Sequence, residues 1–411
     1  MAVTQKNRFK KRRLAHRVAG MTSFKVVDFL EAAERLQAEG HDIVRLEAGQ
    51  PAFPTPPALV EAAELALRAE KTKYTSALGI PELREAIADL YRQRQGIEVP
   101  AQRIAVTTGS SAALGLIGDL LINPGDGFLV TDPGYPCNAN FIRRAGGEPQ
   151  AVPVEASERY QLTTQATREH WQANTVGAMI ASPSNPTGEL IDRAHLKGIH
   201  EFIASQGGTL VVDEIYHGLV YDRDETSILE ITDEAFVVNS FSKYFGMTGW
   251  RLGWMVMPED VCAQVNTLAQ NFYISPPSIA QYVGVAACQP EVIAEMEERR
   301  VELQRRRDFL VPALCKLGFK IPFVPAGAFY IYADISEVVE RSTGTSKNSG
   351  DADEGGGSEA FCWDMLKRAG VAFTPGTDFG HYLADRHVRF TYTEPMERLE
   401  LAVERLGAAL A

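Results

Sequence analysis

Ser240-Phe241-Ser242-Lys243-Tyr244-Phe245-Gly246-Met247-Thr248-Gly249-Trp250-Arg251-Leu252-Gly253 sets one lysine between two serines and an arginine, in a run rich in glycine and aromatic residues. A lysine amine in apolar surroundings beside another cation loses proton affinity, because burial and like charge both disfavour the ammonium form. The neutral amine is then a nucleophile that forms a Schiff base with an aldehyde. The Ser240 and Ser242 hydroxyls and the planar fork of Arg251 suit a phosphate close to that amine. One stretch therefore fits both ends of a phosphate-bearing aldehyde.

Working outward, apolar runs at 236–239 and 253–257 flank this stretch, and four more precede it at 104–107, 127–131, 176–181 and 209–212. Their length and near-continuous apolar character predict buried strands. Helical stretches are expected between many of them, at 111–121, 138–144, 193–205 and 258–270. Such alternation predicts an α/β fold around a mostly parallel sheet, whose ligands sit at the carboxyl ends of the strands. Upstream, residues 27–39 carry helical periodicity closed by Gly40, residues 42–46 read as a short strand into the Gly49-Gln50-Pro51 turn, and a helix follows at 58–69 with proline at its first turn. Downstream, a long charged helix at 291–317 leads to a second, smaller domain. Strands are expected there near 320–325, 327–334 and 388–391, with helices at 358–369 and 396–410.

Composition narrows the function classes. With 411 residues and 45% hydrophobic content, the chain can bury one large core and a smaller one. A net charge of −12 argues against nucleic acid as the main partner. No apolar run approaches the ~20 residues of a membrane helix. The five cysteines are scattered without a C-x-x-C pair, which reads as reduced thiols in a cytoplasmic protein. The basic N-terminus (Lys6 to Arg17) lacks the apolar segment of a secretory signal and reads as a solvated tail. The stretch at 341–357, rich in Gly and Ser and poor in apolar residues, reads as a flexible insertion.

Four further motifs carry chemistry. Thr107-Thr108-Gly109-Ser110-Ser111 ends a strand and opens a helix, whose free N–H groups attract phosphate. Ser184-Asn185-Pro186-Thr187-Gly188 is a tight turn that aims an amide, with a proline suited to a cis bond. Asp213 in Val211-Val212-Asp213-Glu214-Ile215-Tyr216 places a carboxylate at the end of an apolar strand, where it needs a basic partner. A protonated pyridine nitrogen is such a partner; the adjacent Glu214 reads as structural. Arg389, inside the apolar run His387-Val388-Arg389-Phe390-Thr391-Tyr392, offers a rigid fork to a carboxylate. Alone, each has an ordinary explanation: a serine helix cap, a bare turn, a strand-end ion pair, a local salt bridge.

Together and in this order, the motifs closely resemble the class I/II aminotransferase family of fold-type I enzymes that depend on pyridoxal 5′-phosphate (PLP). The resemblance runs from about Arg17 to the C-terminus. It implies a large domain with a mostly parallel mixed sheet between helices, plus a smaller α/β domain. The boundaries it suggests are a basic tail at 1–16, a segment at 17–54 that joins the small domain and covers the site, a large PLP-binding domain at 55–290, and a small domain at 291–411.

The resemblance also implies roles. Lys243 would hold PLP and then move a proton between the substrate Cα and the cofactor. Asp213 would pair with the ring nitrogen, and Asn185 and Tyr216 would donate to the ring oxygen. Tyr135, in Asp132-Pro133-Gly134-Tyr135-Pro136, would stack on the ring, with cis bonds expected before Pro133 and Pro186. Ser110, Ser111, Ser240, Ser242 and Arg251 would hold the phosphate, with Tyr74 reaching the phosphate of a neighbouring subunit, which implies a homodimer with shared active sites. Arg389, helped by the Gly49 backbone and Asn185, would grip the α-carboxylate of an L-amino acid or 2-oxo acid. Two positions depart from the common pattern: Gln50 stands where many relatives carry Glu, and Ser110-Ser111 where glycine and a longer residue are common.

The substrate stays open at this level. Phe24 and Val26, in the segment implied to fold over the site, would favour an apolar or aromatic side chain, whereas Lys25 would suit a distal carboxylate. Glutamate and 2-oxoglutarate would serve one half-reaction by family habit. A carbon–sulfur β-lyase or related synthase on the same fold shares these motifs. A non-catalytic ligand-sensing protein would be expected to carry a DNA-binding domain before the match, for which about 20 residues are too few.

Overall fold

A computed structural model gives the fold of residues 15–21, 23–343 and 357–411. The basic residues Lys6 to Arg13 and the insertion residues 344–356 lie outside the described residues. A short strand β1 (Val44–Arg45) is followed by β2 (Ile104–Thr107), β3 (Gly127–Asp132), β4 (Glu148–Pro153), β5 (Thr175–Ala181), β6 (Thr209–Asp213), β7 (Phe236–Ser240) and β8 (Gly253–Val256). Strands β2 to β8 form a seven-stranded sheet in the order β2-β8-β7-β6-β5-β3-β4. Every residue of β2, β7 and β8 is buried, as strands covered on both faces require.

The sheet is parallel except at β8, which runs antiparallel to both β2 and β7. The reason lies in the connection. The chain returns from β7 to β8 through the lysine-bearing stretch itself, without a crossover helix, and a direct return fixes the antiparallel sense. Strand β4 was not anticipated. It lies at the sheet edge, is largely accessible and contains Pro149 and Pro153, which an edge strand tolerates. The expected helix at 193–205 is present as Arg193–Ser205. The one expected at 258–270 is a 3₁₀ turn, Glu259–Val261, running into a helix at Cys262–Phe272. Helices at Pro81–Gln95 and Ser278–Ala287 carried no expectation.

The helix Pro290–Leu317, closed by Gly318 at φ 103°, leads to the smaller unit. There β9 (Tyr330–Asp334), β10 (Val371–Ala372), β11 (Thr374–Pro375) and β12 (His387–Thr391) follow. Strands β11, β12 and β9 form an antiparallel sheet, and β1 pairs in parallel with β10. The strand expected at 320–325 does not form. Lys320 makes a single bridge to Asp334, and Pro322 and Pro325 lack the N–H groups a longer ladder needs. Among the described residues, no helix is long and apolar enough to cross a membrane.

Candidate active site

The sheet register assembles the site. Thr107 pairs with Gly253, and Gly253 with Ser240, so three strand ends lie in one row. Asp213 stands opposite Val238 on one side and Ala181 on the other, one strand further along. The helix Ser110–Leu121 starts directly above this row. Its cap is Gly109 at φ 72°, with no side-chain capping bond, so the ordinary alternative of a serine cap does not apply and the first N–H groups keep no intrahelical partner. A Cβ on Gly109 would lie 2.4 Å from Arg251 Nη2, and one on Gly253 would lie 2.8 Å from the Ser110 nitrogen. Two glycines thus let the arginine and two backbones converge. The Ser240 and Ser242 hydroxyls, both buried, lie 2.9 Å apart. Arg251 is exposed and donates to the Thr248 carbonyl at 2.9 Å.

Lys243 follows β7. Its Nζ donates to the Gly49 carbonyl at 2.5 Å and lies 5.9 Å from the ring centroids of both Tyr216 and Phe329. Burial lowers its pKa to about 8, assisted by the charge of Arg389 and opposed by that of Asp213. The lysine stretch alone named Arg251 as the neighbouring cation; its effect is the smaller one, and the larger comes from an arginine 146 positions away. Asp213 is 5% exposed and is pushed up to about 7 by burial. It accepts the Ile215 N–H at 3.1 Å, and among the described residues no cationic side chain reaches ion-pair distance of it. Glu214 points away, accepting from Ser227 Oγ and the Ile228 N–H, each at 2.9 Å.

Arg389 is 2% exposed. Its guanidinium donates to Asn185 Oδ1 at 2.9 Å, to the Glu47 carbonyl at 2.7 Å and to Thr374 Oγ1 at 3.3 Å, while Nε has no partner. It is sandwiched by Tyr330 and Phe379, with ring centroids at 4.4 and 4.7 Å. Asn185 Oδ1 is thereby occupied, which leaves its Nδ2 as the donor. The bonds before Pro133, Pro183 and Pro186 are cis; the one before Pro183 was not anticipated.

Tyr135 is the N-cap residue of the helix Pro136–Ala145, and burial raises its hydroxyl pKa well above the usual value, with the neighbouring Cys137 and then Asp213 and Tyr330 adding to the effect. Phe24 meets the Tyr135 ring edge-on, with centroids 6.1 Å apart. Lys25 opens the next helix. Its ammonium pairs with Glu359 and donates to Thr377 Oγ1, so it is not the free cation that a distal carboxylate would need. Asp378 accepts the Lys25 and Val26 N–H groups, at 2.6 and 3.3 Å, and caps that helix from the other end of the chain. Tyr74 is apart from the cluster, 79% exposed on a loop.

Sequence reasoning missed Tyr330, whose hydroxyl lies 2.6 Å from that of Tyr216, and also Glu47, Thr374 and Phe379. Tyr330 sits in an apolar strand whose pattern signals burial and nothing more. The Glu47 contact is made by a backbone carbonyl, which no sequence motif marks.

A sequence model of the family described as aminotransferase class I and II matches residues 41–406. The chain is 38% identical over 395 residues to the valine–pyruvate aminotransferase of Mycobacterium tuberculosis, covering 95% of this chain and 97% of that protein. It is 34% identical over 402 residues to the aspartate/prephenate aminotransferase of Thermus thermophilus, covering 97% and 99%. A crystal structure of an aminotransferase from Mycobacterium tuberculosis superposes with a TM-score of 0.90 at 37% identity, covering 97% of this chain and 99% of that one. That of the Thermus thermophilus aspartate aminotransferase with maleate gives 0.88 at 32% identity, covering 97% and 100%. The architecture is that of fold type I. The chain belongs to the class I and II aminotransferases, enzymes that pass an amino group between an amino acid and a keto acid.

Proposed function

We propose that this aminotransferase works through PLP held at Lys243 and takes an L-amino acid with an apolar side chain as donor. The observation that carries the reading is the placing of Lys243 just after β7 and of Asp213 at the end of the adjacent β6: an amine brought to about 8, and a buried carboxylate with which, among the described residues, no cationic side chain makes an ion pair. The residues fit the cofactor. Asp213 supplies the acceptor for a protonated ring nitrogen. The uncapped Ser110 and Ser111 N–H groups, the Ser240 and Ser242 hydroxyls and Arg251 supply a phosphate cradle. Asn185 Nδ2 and the Tyr216 hydroxyl are donors for the ring oxygen, and the Tyr135 ring is a stacking face.

When bound, PLP supplies an electron-withdrawing ring that stabilises negative charge at the substrate Cα. The chain does the rest. Arg389, with its plane fixed between Tyr330 and Phe379, orients the substrate carboxylate in one pose. The Lys243 amine, neutral in useful fraction near pH 7, takes the proton from the substrate Cα. When free, that amine donates to the Gly49 carbonyl. Amino acid and keto acid share the carboxylate that Arg389 grips, so one site would serve both halves of a ping-pong exchange in which the amino group stays with the cofactor between them.

The apolar preference rests on the cover. Lys25 is committed to Glu359, and Phe24 presents its ring beside Tyr135. A cavity of about 560 Å³ next to Tyr135 is lined by Gly134, Ala139 and Phe379, with Lys25 and Arg143 as well as Asp132 and Asp378 on its wall; Asp132 and Asp378 are engaged by backbone N–H groups, as Lys25 is by Glu359. The valine–pyruvate specificity of one relative agrees with this. We further propose a homodimer, since an aromatic as exposed as Tyr74 gains a purpose at a partner's phosphate cradle. The unpaired cysteines support a reducing, cytoplasmic setting. A donor screen with pyruvate and 2-oxoglutarate as acceptors tests the function: apolar donors should convert the enzyme to the pyridoxamine form. Release of pyruvate and ammonia, with no such conversion, would contradict it.

A further inference from the structure

The Tyr330 and Tyr216 hydroxyls, both buried, lie 2.6 Å apart. Two facing hydroxyls hold two protons; one lies in the shared bond and the other is free to point elsewhere. The Tyr330 ring lies against the Arg389 guanidinium, 4.4 Å from its centroid. Its hydroxyl is also the nearest atom, at 2.9 Å, to where a side chain on Gly49 would begin. Gly49 in turn holds the Lys243 amine. One side chain thus touches the three residues that face the ring oxygen, the substrate carboxylate and the lysine.

We propose that Tyr330 is a positioning residue with two separable functions: its hydroxyl donates to the Tyr216 oxygen and so turns the Tyr216 proton toward the cofactor's ring oxygen, and its ring fixes the plane of Arg389. This rests on the reading of Tyr216 as a cofactor contact. The distance alone allows either hydroxyl to donate; the direction is assigned from the position of the Arg389 cation, which lies 4.4 Å from the Tyr330 ring centroid, withdraws charge from that hydroxyl and makes it the better donor of the two. Gly49 has ordinary backbone geometry, so only the Tyr330 hydroxyl closes the space above it.

The test compares wild type, Tyr330→Phe, Tyr330→Leu, Gly49→Ala and the double variant Gly49→Ala/Tyr330→Phe, each loaded with PLP. The Phe variant should raise the pH midpoint of the Lys243-linked absorbance by about one unit and lower kcat by about three- to tenfold, with KM within about twofold. The Leu variant should add a rise in KM of about tenfold for carboxylate substrates. Gly49→Ala should weaken PLP retention in equilibrium dialysis, and adding Tyr330→Phe should restore most of it. A wild-type midpoint in the Phe variant, or equal KM in the Phe and Leu variants, would overturn the proposal. So would the absence of rescue in the double variant. If wild type itself shows no Lys243-linked absorbance, the functional reading fails, and this one with it.

Discussion

Lys243 Nζ donates to the Gly49 carbonyl across 2.5 Å, joining a strand end of the large sheet to the turn that follows β1. The contact spans 194 positions of sequence and parks the reactive amine next to a backbone dipole. Removing the amine removes the chemistry. Lys243→Ala should show no lysine-linked absorbance with PLP and should lose activity by about 10⁴-fold or more. The pH dependence is a finer check. With a pKa of about 8, the neutral fraction, and so the rate of PLP capture by the apoenzyme, should rise about tenfold between pH 7 and 9 and then level off. A rate still climbing steeply above pH 9 would indicate an unperturbed lysine.

Asp213 gives the opposite sign for stability. Its folded pKa of about 7 lies above its unfolded value, so the folded apoenzyme binds the extra proton and its stability falls as pH rises from about 4 to 7. Asp213→Asn removes that penalty. The variant apoprotein should therefore be more stable than wild type at pH 8, by up to about 4 kcal/mol, with the difference vanishing near pH 4. Its transaminase activity should nevertheless fall by about a hundredfold or more, because the ring nitrogen loses its counter-ion. Denaturant melts at two pH values, together with a steady-state assay, read both effects.

Arg389→Lys keeps the charge and discards the fork. A loss of about 2–3 kcal/mol in kcat/KM is expected, as for a broken bidentate charged pair. The loss should be the same for amino and keto acid substrates, since both present one α-carboxylate. A loss confined to one half-reaction would remove Arg389 from the carboxylate site.

The cover residues separate two substrate classes. Phe24→Ala should raise KM for branched and aromatic donors by about tenfold, consistent with about 1–2 kcal/mol of lost apolar contact. Lys25→Ala should change the ratio of apolar to acidic donor turnover by less than about threefold. Its partly exposed pair with Glu359 should contribute less than about 1 kcal/mol to stability. A selective collapse of aspartate or glutamate turnover in Lys25→Ala would reverse the assignment.

Tyr74→Phe tests the shared site. Loss of one hydroxyl bond to a phosphate should weaken PLP affinity by about tenfold while the sedimentation coefficient stays that of a dimer. A wild-type chain that sediments as a monomer while fully active would refute the arrangement.

The six apolar runs read from the sequence all became strands of the large sheet, because a strand buried on both faces must be apolar along its length. Strand β4 escaped because an edge strand need not be: it keeps Glu148, Pro149 and Pro153. The lone antiparallel strand, β8, followed from a connection whose length is legible but whose path is not. Lys243, Asp213, Asn185 and Arg389 stood out because each is a polar group in an apolar or turn context. Tyr330 did not, since a tyrosine in an apolar strand looks like core. Lys25 was ambiguous for a different reason: its partner Glu359 is 334 positions away, and no local pattern announces an ion pair of that separation.

The pairing of β1 with β10, and the Thr391 N–H donating to the Leu46 carbonyl at 2.9 Å, have a consequence for synthesis. All seven strands of the large sheet lie between positions 104 and 256, so that sheet has its full set of strands well before translation ends. Strand β1, which leads into the Gly49 turn, has no partner strand until the chain past Ala372 has left the ribosome, and the Leu46 carbonyl gains its Thr391 contact later still. A nascent enzyme thus holds its lysine and its acid in a vessel with one side missing, and that wall closes only when the strands at 371–372 and 387–391 emerge.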